Sequence, residues 1–151
     1  MEFEHIVREI VEKQCEDYFI GMADLSLVDN VVIEKFRSLI SEYPRAISIG
    51  ITLPYKLTPE LLIGKAAQIY EETNCQLKNI TSQLSTWLEK EGHQALTIPK
   101  SKIEDDTSIS LHKLAANWAN LGWITKNGLL VTPEAGTGVN WGTVLTDALL
   151  E

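Results

Sequence analysis

The sequence predicts a single α/β domain in which helices cover a small sheet. Apolar residues recur at helical spacing in several stretches, and short runs rich in β-branched residues alternate with them. The chain has 151 residues, which is enough for one well-formed core but not for two, so we expect one domain spanning residues 1–151. The predicted order is helix, strand, helix, strand, long helix, strand, helix, strand, strand.

A change of period marks the first helix and the first strand. Apolar residues from Phe3 to Val11 follow the i, i+3, i+4 spacing of an amphipathic helix, which we expect to end near Asp17. The apolar run 18–23, YFIGMA, then predicts a short buried strand.

The second helix and the centre of the sheet come next. Ser26 or Asp29 is suited to cap a helix that stops at Pro44, because proline cannot continue it. Segment 46–53, AISIGITL, is rich in β-branched residues and is followed by Pro54. It therefore predicts a central strand.

A long helix follows this strand. Thr58 is suited to its N-cap and Pro59 to its first helical position. The helical pattern persists to Lys90, and because such a length is unusual, a break near Thr73 is the alternative. Gly92 is the expected glycine at its C-terminus.

The last third of the chain predicts three strands and a short helix. Segment 94–99, QALTIP, reads as a strand, and the polar segment 100–108 as a surface loop that could close over a site. An amphipathic helix from Leu111 leads to two apolar strands near 129–132 and 143–147. A connection of only about ten residues favours an antiparallel pair, because parallel strands need a longer crossover.

Composition excludes several classes of protein. The net charge of −8 weighs against a protein that grips a nucleic-acid backbone. No apolar run is long enough to span a membrane, and the N-terminus is too charged for a signal peptide. Cys15 and Cys75 lie far apart without a CxxC motif, so no zinc or iron–sulfur site is expected in this chain. They could pair, but reduced cysteines in a cytoplasmic protein are the expectation.

Five of the nine glycines lie between Leu111 and Leu150. Without Cβ atoms, glycine loops let peptide N–H groups reach a ligand, although they also serve as plain structural turns. Residues 122–134, GWITKNGLLVTPE, and 143–147, TVLTD, resemble the end of the corrinoid-binding domain of the epoxyqueuosine reductase family, which is related to that of reductive dehalogenases. Segment 46–53 and the helix before Gly92 are in the family's usual order, so the likeness covers most of the chain.

The resemblance implies a fold related to flavin nitroreductases, with a mainly antiparallel sheet, and a cobalamin-type corrinoid as cofactor. Lys126 and Asn127 are the polar residues expected to face this ligand, and Trp123 is expected to lie in the core with its indole N–H bonded. The cofactor-binding residues implied by the resemblance lie in the glycine loops and the last strand: Gly122, Trp123, Lys126, Asn127, Gly128, Leu129, Thr132, Pro133, Gly136, Gly138, Thr143, Leu145 and Thr146.

The resemblance also implies one catalytic residue. Asp106 falls where epoxyqueuosine reductases place an aspartate thought to act as general acid, a role open to a carboxyl group within reach of the substrate. Ile109 and His112 replace the proline and glutamate that usually follow this aspartate, so a solvated loop residue is the alternative. No metal ligands are expected, because His5 and His93 are too scattered to form a site.

Two departures from the family limit what the chain is expected to do alone. Family members continue into an iron–sulfur domain with cysteine motifs that this sequence lacks, and Thr125 and 136–140 replace a glycine and a proline–arginine loop. The expected function is therefore binding of a cobalamin-type cofactor. If a separate iron–sulfur electron-donor protein reduces the cobalt to a nucleophile, Asp106 would protonate the product. The acidic charge argues against a tRNA substrate.

Two alternatives stay open from the sequence. One is a non-enzymatic scaffold domain that has lost the cofactor and contacts a partner chain or further copies of itself. The other is a flavin-binding oxidoreductase, which rests on the fold relationship alone.

Overall fold

The computed structural model describes residues 2–27, 36–53, 59–98, 111–126, 130–136 and 138–148. The helices are α1 (Glu2–Glu12), α2 (Arg37–Glu42), α3 (Pro59–Lys90) and α4 (Leu111–Trp118), with a 3-10 turn at Leu25–Leu27. The strands are β1 (Tyr18–Asp24), β2 (Arg45–Thr52), β3 (Ala95–Thr97), β4 (Trp123–Ile124), β5 (Leu130–Val131) and β6 (Val139–Thr146). None of the helices within these ranges is long and apolar enough to cross a bilayer.

The main sheet has four strands in the order β1-β2-β6-β3, and every neighbouring pair is antiparallel. Met22 lies opposite Ile47, Ile49 opposite Gly142, and Leu96 opposite Leu145. This architecture confirms the predicted fold class, a small antiparallel sheet flanked by helices. It also confirms the central position of the strand predicted at 46–53, because β2 has a partner on each side.

The prediction that the last two strands pair with each other is wrong. β5 instead pairs with β4 in a separate two-stranded sheet, with Trp123 opposite Val131, while β6 lies between β2 and β3. β6 begins at Val139, earlier than predicted, and its length lets it pair along the whole of β2. β5 and β6 are therefore joined by a short connection but belong to different sheets, because β5 pairs with β4 and β6 pairs with β2 and β3.

One face of the sheet packs against α1 and α3. Side chains alternate between the faces of a strand, so Ile47, Ile49 and Val144 point the same way. They form the largest core cluster with Val7 and Val11 of α1 and Leu77, Ile80, Leu84 and Leu88 of α3. The stripe predicted from Phe3 to Val11 is therefore the buried side of α1.

The opposite face of the sheet packs against α4. Ala46 and Leu145 contact Leu111, Leu114 and Ala115 in a second cluster that also includes Ala23 and Ile40. A third cluster joins Ala116 of α4 to Leu130, Val139 and Trp141. It connects the small β4–β5 sheet to the start of β6, so the hairpin lies on the α4 side.

α1 and β1 differ from the prediction, whereas α3 agrees with it. α1 ends at Glu12 rather than near Asp17, because the amides of Gln14 and Cys15 both bond the Val11 carbonyl and close the last turn. β1 is half-buried rather than buried, because it is an edge strand. α3 runs without the break considered near Thr73 and is followed by Gly92, which has a φ of +89°, as predicted.

Candidate functional site

The β4–β5 hairpin carries the first of the predicted site residues. Gly122 lies so close to the neighbouring strand that a Cβ there would be 2.5 Å from the Val131 carbonyl oxygen. The Asn117 side chain donates to the Gly122 carbonyl at 3.0 Å and ties the hairpin to the end of α4. The glycine is therefore required by the close approach of two backbone segments.

The next predicted residues form a closed turn. The amides of Thr132 and Gly136 bond each other's carbonyl oxygens at 2.8 and 2.9 Å, and the Thr132 hydroxyl donates to Gly136 at 3.1 Å and accepts from Ala135 at 3.0 Å. Gly136 has a φ of +57°, and Gly138 donates its amide to Ala135. Since these donors already have partners within the turn, the backbone here has few N–H groups left for a ligand.

Side chains on the outside of this region are exposed. Trp123 is 51% exposed, so the expectation that it lies in the core is wrong; it is Trp141 that is buried in the third cluster. Trp123 belongs to a two-residue strand whose other face covers the core, and alternation turns its indole outward. Lys126 and Pro133 are exposed as well.

The predicted residues of β6 are buried. The Thr143 hydroxyl lies 2.8 Å from His112 Nδ1, and both residues are buried between β6 and α4. The Thr146 hydroxyl donates to the Gln94 carbonyl at 2.7 Å and accepts from the Ala148 amide. Leu145 is fully buried in the second cluster. These side chains hold elements together and do not reach the surface.

Four predicted residues lie outside the described ranges. They are the proposed catalytic Asp106 and three residues of the Lys-Asn-Gly turn, Asn127, Gly128 and Leu129. Their roles stay predictions. Within the described ranges, no three His, Cys, Asp or Glu side chains come together as they would around a metal ion.

A cleft of about 380 Å³ opens at the free edge of β6, between α3 and α4. It lies where β3 stops, opposite Val144, so that in the described part of the chain the start of β6 has no strand partner on this side. Leu77, Ile98 and Gly142 form its apolar surface. Its volume is within the usual range for small-molecule sites.

Polar residues from three elements line the rest of the cleft. They are Asn74, Lys78, Thr81 and Ser82 of α3, Thr97 of β3 and His112 of α4. Gly142 faces α3, where an added Cβ would be 3.1 Å from Leu77 Cδ2, whereas Trp141 faces the hairpin side. The sheet therefore separates the α3 wall of the cleft from the hairpin.

None of the predicted cofactor-binding residues in the described ranges lines this cleft, although Thr143 contacts His112. Sequence reasoning missed the α3 wall because Asn74, Lys78 and Ser82 look like ordinary solvent-facing helix positions. A signal was present in their spacing of four residues, which places them on one side of the helix, with no acidic residue among them.

Comparisons with known proteins give a fold but no close relative. No protein-family model matches the sequence, and no curated protein matches it. Among solved structures, an epoxyqueuosine reductase from Streptococcus thermophilus overlaps all of this chain with a TM-score of 0.61 and 18% identity. An epoxyqueuosine reductase bound to an epoxyqueuosine-modified tRNA stem loop overlaps 99% of the chain with a TM-score of 0.61 and 13% identity.

A third similar structure, an epoxyqueuosine reductase from Bacillus subtilis, has a TM-score of 0.51 and 15% identity over 99% of the chain. This chain spans about half the length of each, between 46% and 47% of the matched chains. Identities this low establish a shared architecture and leave the chemistry open. The chain therefore has the fold of about half of an epoxyqueuosine reductase.

Proposed function

We propose that this domain binds a cobalamin-type corrinoid on the side of the β4–β5 hairpin. The observation that supports this most is the overlap of nearly the whole chain with part of several epoxyqueuosine reductases. The motif at residues 122–134, which resembles the corrinoid-binding end of that family, lies within the overlap, and its described residues form β4, β5 and the turn after them.

The described residues fit a large flat ligand through side chains rather than through backbone donors. Trp123 offers an exposed aromatic side chain and Lys126, three residues later, an exposed cation, whereas the turn amides at Thr132 and Gly136 already have partners. A bound corrinoid supplies a cobalt centre that can carry electrons to a substrate. The residues of this chain would bind and orient it and shield one of its faces from water.

Reduction would require electrons from outside these 151 residues. An iron–sulfur cluster usually needs four cysteine ligands, and this sequence has two cysteines. We therefore propose a separate iron–sulfur protein as the donor, with Asp106 as the group that protonates the reduced substrate. A bound substrate has to place its reacting atom within hydrogen-bond reach of that carboxyl group.

Retention of hydroxocobalamin through gel filtration, followed by its visible absorption, tests corrinoid binding. The Trp123→Ala variant should lose most of the retained cofactor, because the exposed indole provides contact area without supporting the core. The matched control is Tyr70→Ala, which removes an exposed aromatic side chain from α3, away from the hairpin. This variant should retain the cofactor.

Three results would overturn the proposal. Retention of flavin in place of hydroxocobalamin would favour a flavin oxidoreductase. Failure to retain either cofactor at high micromolar concentration would favour a scaffold domain. Equal loss in Trp123→Ala and Tyr70→Ala would separate retention from the hairpin and contradict the proposed location.

A further inference from the structure

We propose that the cleft at the edge of β6, between α3 and α4, binds a small anion, with Lys78 as its charged anchor. The anion would be a phosphate or carboxylate group carried on an apolar body. The α3 wall of the cleft, which carries Lys78, lies on the other side of the sheet from the hairpin, and the proposed binding does not depend on a corrinoid. Three features of the cleft favour such a ligand: the charge of Lys78, the orientation of Asn74 and the apolar surface beside them.

The charge of the described lining residues favours an anion. Lys78 is the only lysine or arginine among the described lining residues, and none of these residues is acidic. The positions three and four residues away on α3 are Asn74, Cys75, Thr81 and Ser82, so no carboxylate lies one turn from the ammonium group. By contrast, Arg8 and His5 on α1 each contact a glutamate one turn away.

The charge of Lys78 is opposite in sign to that of the chain as a whole. The chain has 21 acidic and 13 basic residues, so a lysine in a concave site whose described residues carry no carboxylate gives this surface a positive potential against the overall charge. In the described part of the chain, Lys78 takes part in no ion pair. Its ammonium group is available to a ligand that enters the cleft.

Asn74 adds a hydrogen-bond donor to the α3 wall of the cleft. The Thr73 hydroxyl donates to the Tyr70 carbonyl at 2.9 Å, so its oxygen accepts from the Asn140 side-chain amide at 2.8 Å. The same amide nitrogen donates to Asn74 Oδ1 at 2.8 Å. Because Asn140 is buried and holds that oxygen, the amide nitrogen is the end of Asn74 that remains to donate to a ligand.

Further hydrogen-bond donors lie along α3 on the same side as Asn74. Asn74, Lys78 and Ser82 are spaced by four residues and follow one side of α3, and the Thr97 hydroxyl belongs to the opposite wall. Several donors around one cation suit an oxyanion, because charge-assisted hydrogen bonds are stronger than neutral ones. Leu77, Ile98 and Gly142 supply apolar contact, so the ligand should carry an apolar part as well.

Titration with phenyl phosphate, benzoate and benzyl alcohol tests the inference, with binding followed by amide NMR shifts of Thr81, Ser82 and Thr97. We expect saturable shifts with phenyl phosphate or benzoate and at least tenfold weaker binding of the neutral alcohol. The relative affinity of the first two probes distinguishes a phosphate site from a carboxylate site.

Variants separate the anchor from the net charge of the protein. Lys78→Met keeps an apolar stem and should raise the Kd of the better anionic probe at least tenfold. Lys90→Met, on the same helix and with the same change of charge, should alter it less than twofold, and circular dichroism of both variants checks that they fold.

Three outcomes would overturn the inference. They are equal affinity for benzyl alcohol and the anions, equal loss in Lys78→Met and Lys90→Met, and absence of saturable shifts at the three amides. Since no corrinoid is present in these titrations, failure here is distinguishable from failure of the proposed cofactor binding.

Discussion

At the scale of single residues, Gly122 illustrates a glycine whose position is fixed by the fold. In Gly122→Ala the new Cβ would meet backbone atoms of Val131, which cannot move unless the β4–β5 hairpin opens. We expect the free energy of unfolding to fall by about 1–3 kcal/mol, the usual cost of overpacking. Urea unfolding followed by circular dichroism measures it.

Gly142→Ala is the matched control for this variant. Its new Cβ would be 3.1 Å from the end of the Leu77 side chain, which can shift by rotation where a backbone carbonyl cannot. We expect a loss below about 1 kcal/mol. If the two variants lose equal stability, the close approach at Val131 does not explain why position 122 is glycine.

The contact between His112 and Thr143 leads to a second prediction. Thr143→Val removes the hydroxyl that lies 2.8 Å from His112 Nδ1 and leaves a buried polar atom without this partner. We expect a loss of about 1–3 kcal/mol in the free energy of unfolding. Thr143→Ser keeps the hydroxyl and should lose less; the reverse order would show that the methyl group matters more than the hydrogen bond.

The two cysteines should differ in reactivity. Burial, together with the nearby Asp17 carboxylate, raises the pKa of the Cys15 thiol, whereas Cys75 is exposed on α3. The thiolate is the reactive form, so at pH 8 iodoacetamide should modify Cys75 at least about tenfold faster than Cys15. Peptide mass spectrometry measures both rates in one sample, and urea should remove the difference. Equal rates in the folded protein would contradict it.

At the scale of elements, the end of α3 depends on Gly92. The Gly92 amide bonds the Glu89 carbonyl at 3.1 Å and the His93 amide bonds Leu88 at 3.0 Å, which is the hydrogen-bond pattern of a Schellman cap. Because Gly92 has a φ of +89°, Gly92→Ala should lower the free energy of unfolding by about 1–2 kcal/mol, which thermal unfolding measures. Gly92→Asn tolerates the left-handed region better and should cost less; equal costs would indicate that the backbone angle is not the cause.

Sequence patterns predicted this helix end and the central strand because both depend on local chemistry. Gly92 marks a left-handed residue, and β-branched residues at 46–53 suit a strand with neighbours on both sides. The pairing of β4 with β5, by contrast, does not follow from local chemistry. Periodicity shows which side chains share a face of a strand, but it does not show which strand lies beside it. The short connection between the last two predicted strands therefore led to the wrong pairing.

The candidate site was predictable only in part for the same reason. The motif at 122–134 located the hairpin, but the exposure of Trp123 follows from packing between two sheets that the sequence does not encode locally. The cleft unites residues of α3, β3, α4 and β6 from distant parts of the chain. Only the polar row on α3 left a trace in the sequence.

At the scale of the whole molecule, the sheet divides the protein into two sides with different chemistry. The α4 side carries the hairpin, with the exposed Trp123, while the α3 side carries the donors around Lys78. β6 takes part in both, since Trp141 faces the hairpin cluster and Gly142 faces α3. A single strand, buried along its whole length, therefore contributes to both sides.

Alkaline pH should destabilise the whole molecule through two groups near the start of the sheet. A hydrogen bond to the Glu12 carboxylate raises the pKa of the Tyr18 hydroxyl, with Arg8 opposing it, and burial raises the pKa of the Cys15 thiol. A group whose pKa is raised by folding contributes stability below its unfolded pKa and loses it as the pH rises through the folded value. In the unfolded chain the pKa values of a thiol and a tyrosine are about 8.5 and 10. The free energy of unfolding should therefore be level from pH 7 to about 8 and then fall.

Urea unfolding midpoints at pH 7, 9 and 10.5 measure this dependence. Glu12→Gln removes the carboxylate that accepts the Tyr18 hydroxyl, so it should make the fall above pH 10 shallower. Glu16→Gln changes the charge of the chain by the same amount and should keep the slope of the natural protein. A midpoint that rises with pH, or an equal effect of the two variants, would show that the titration of Tyr18 is not coupled to folding through Glu12.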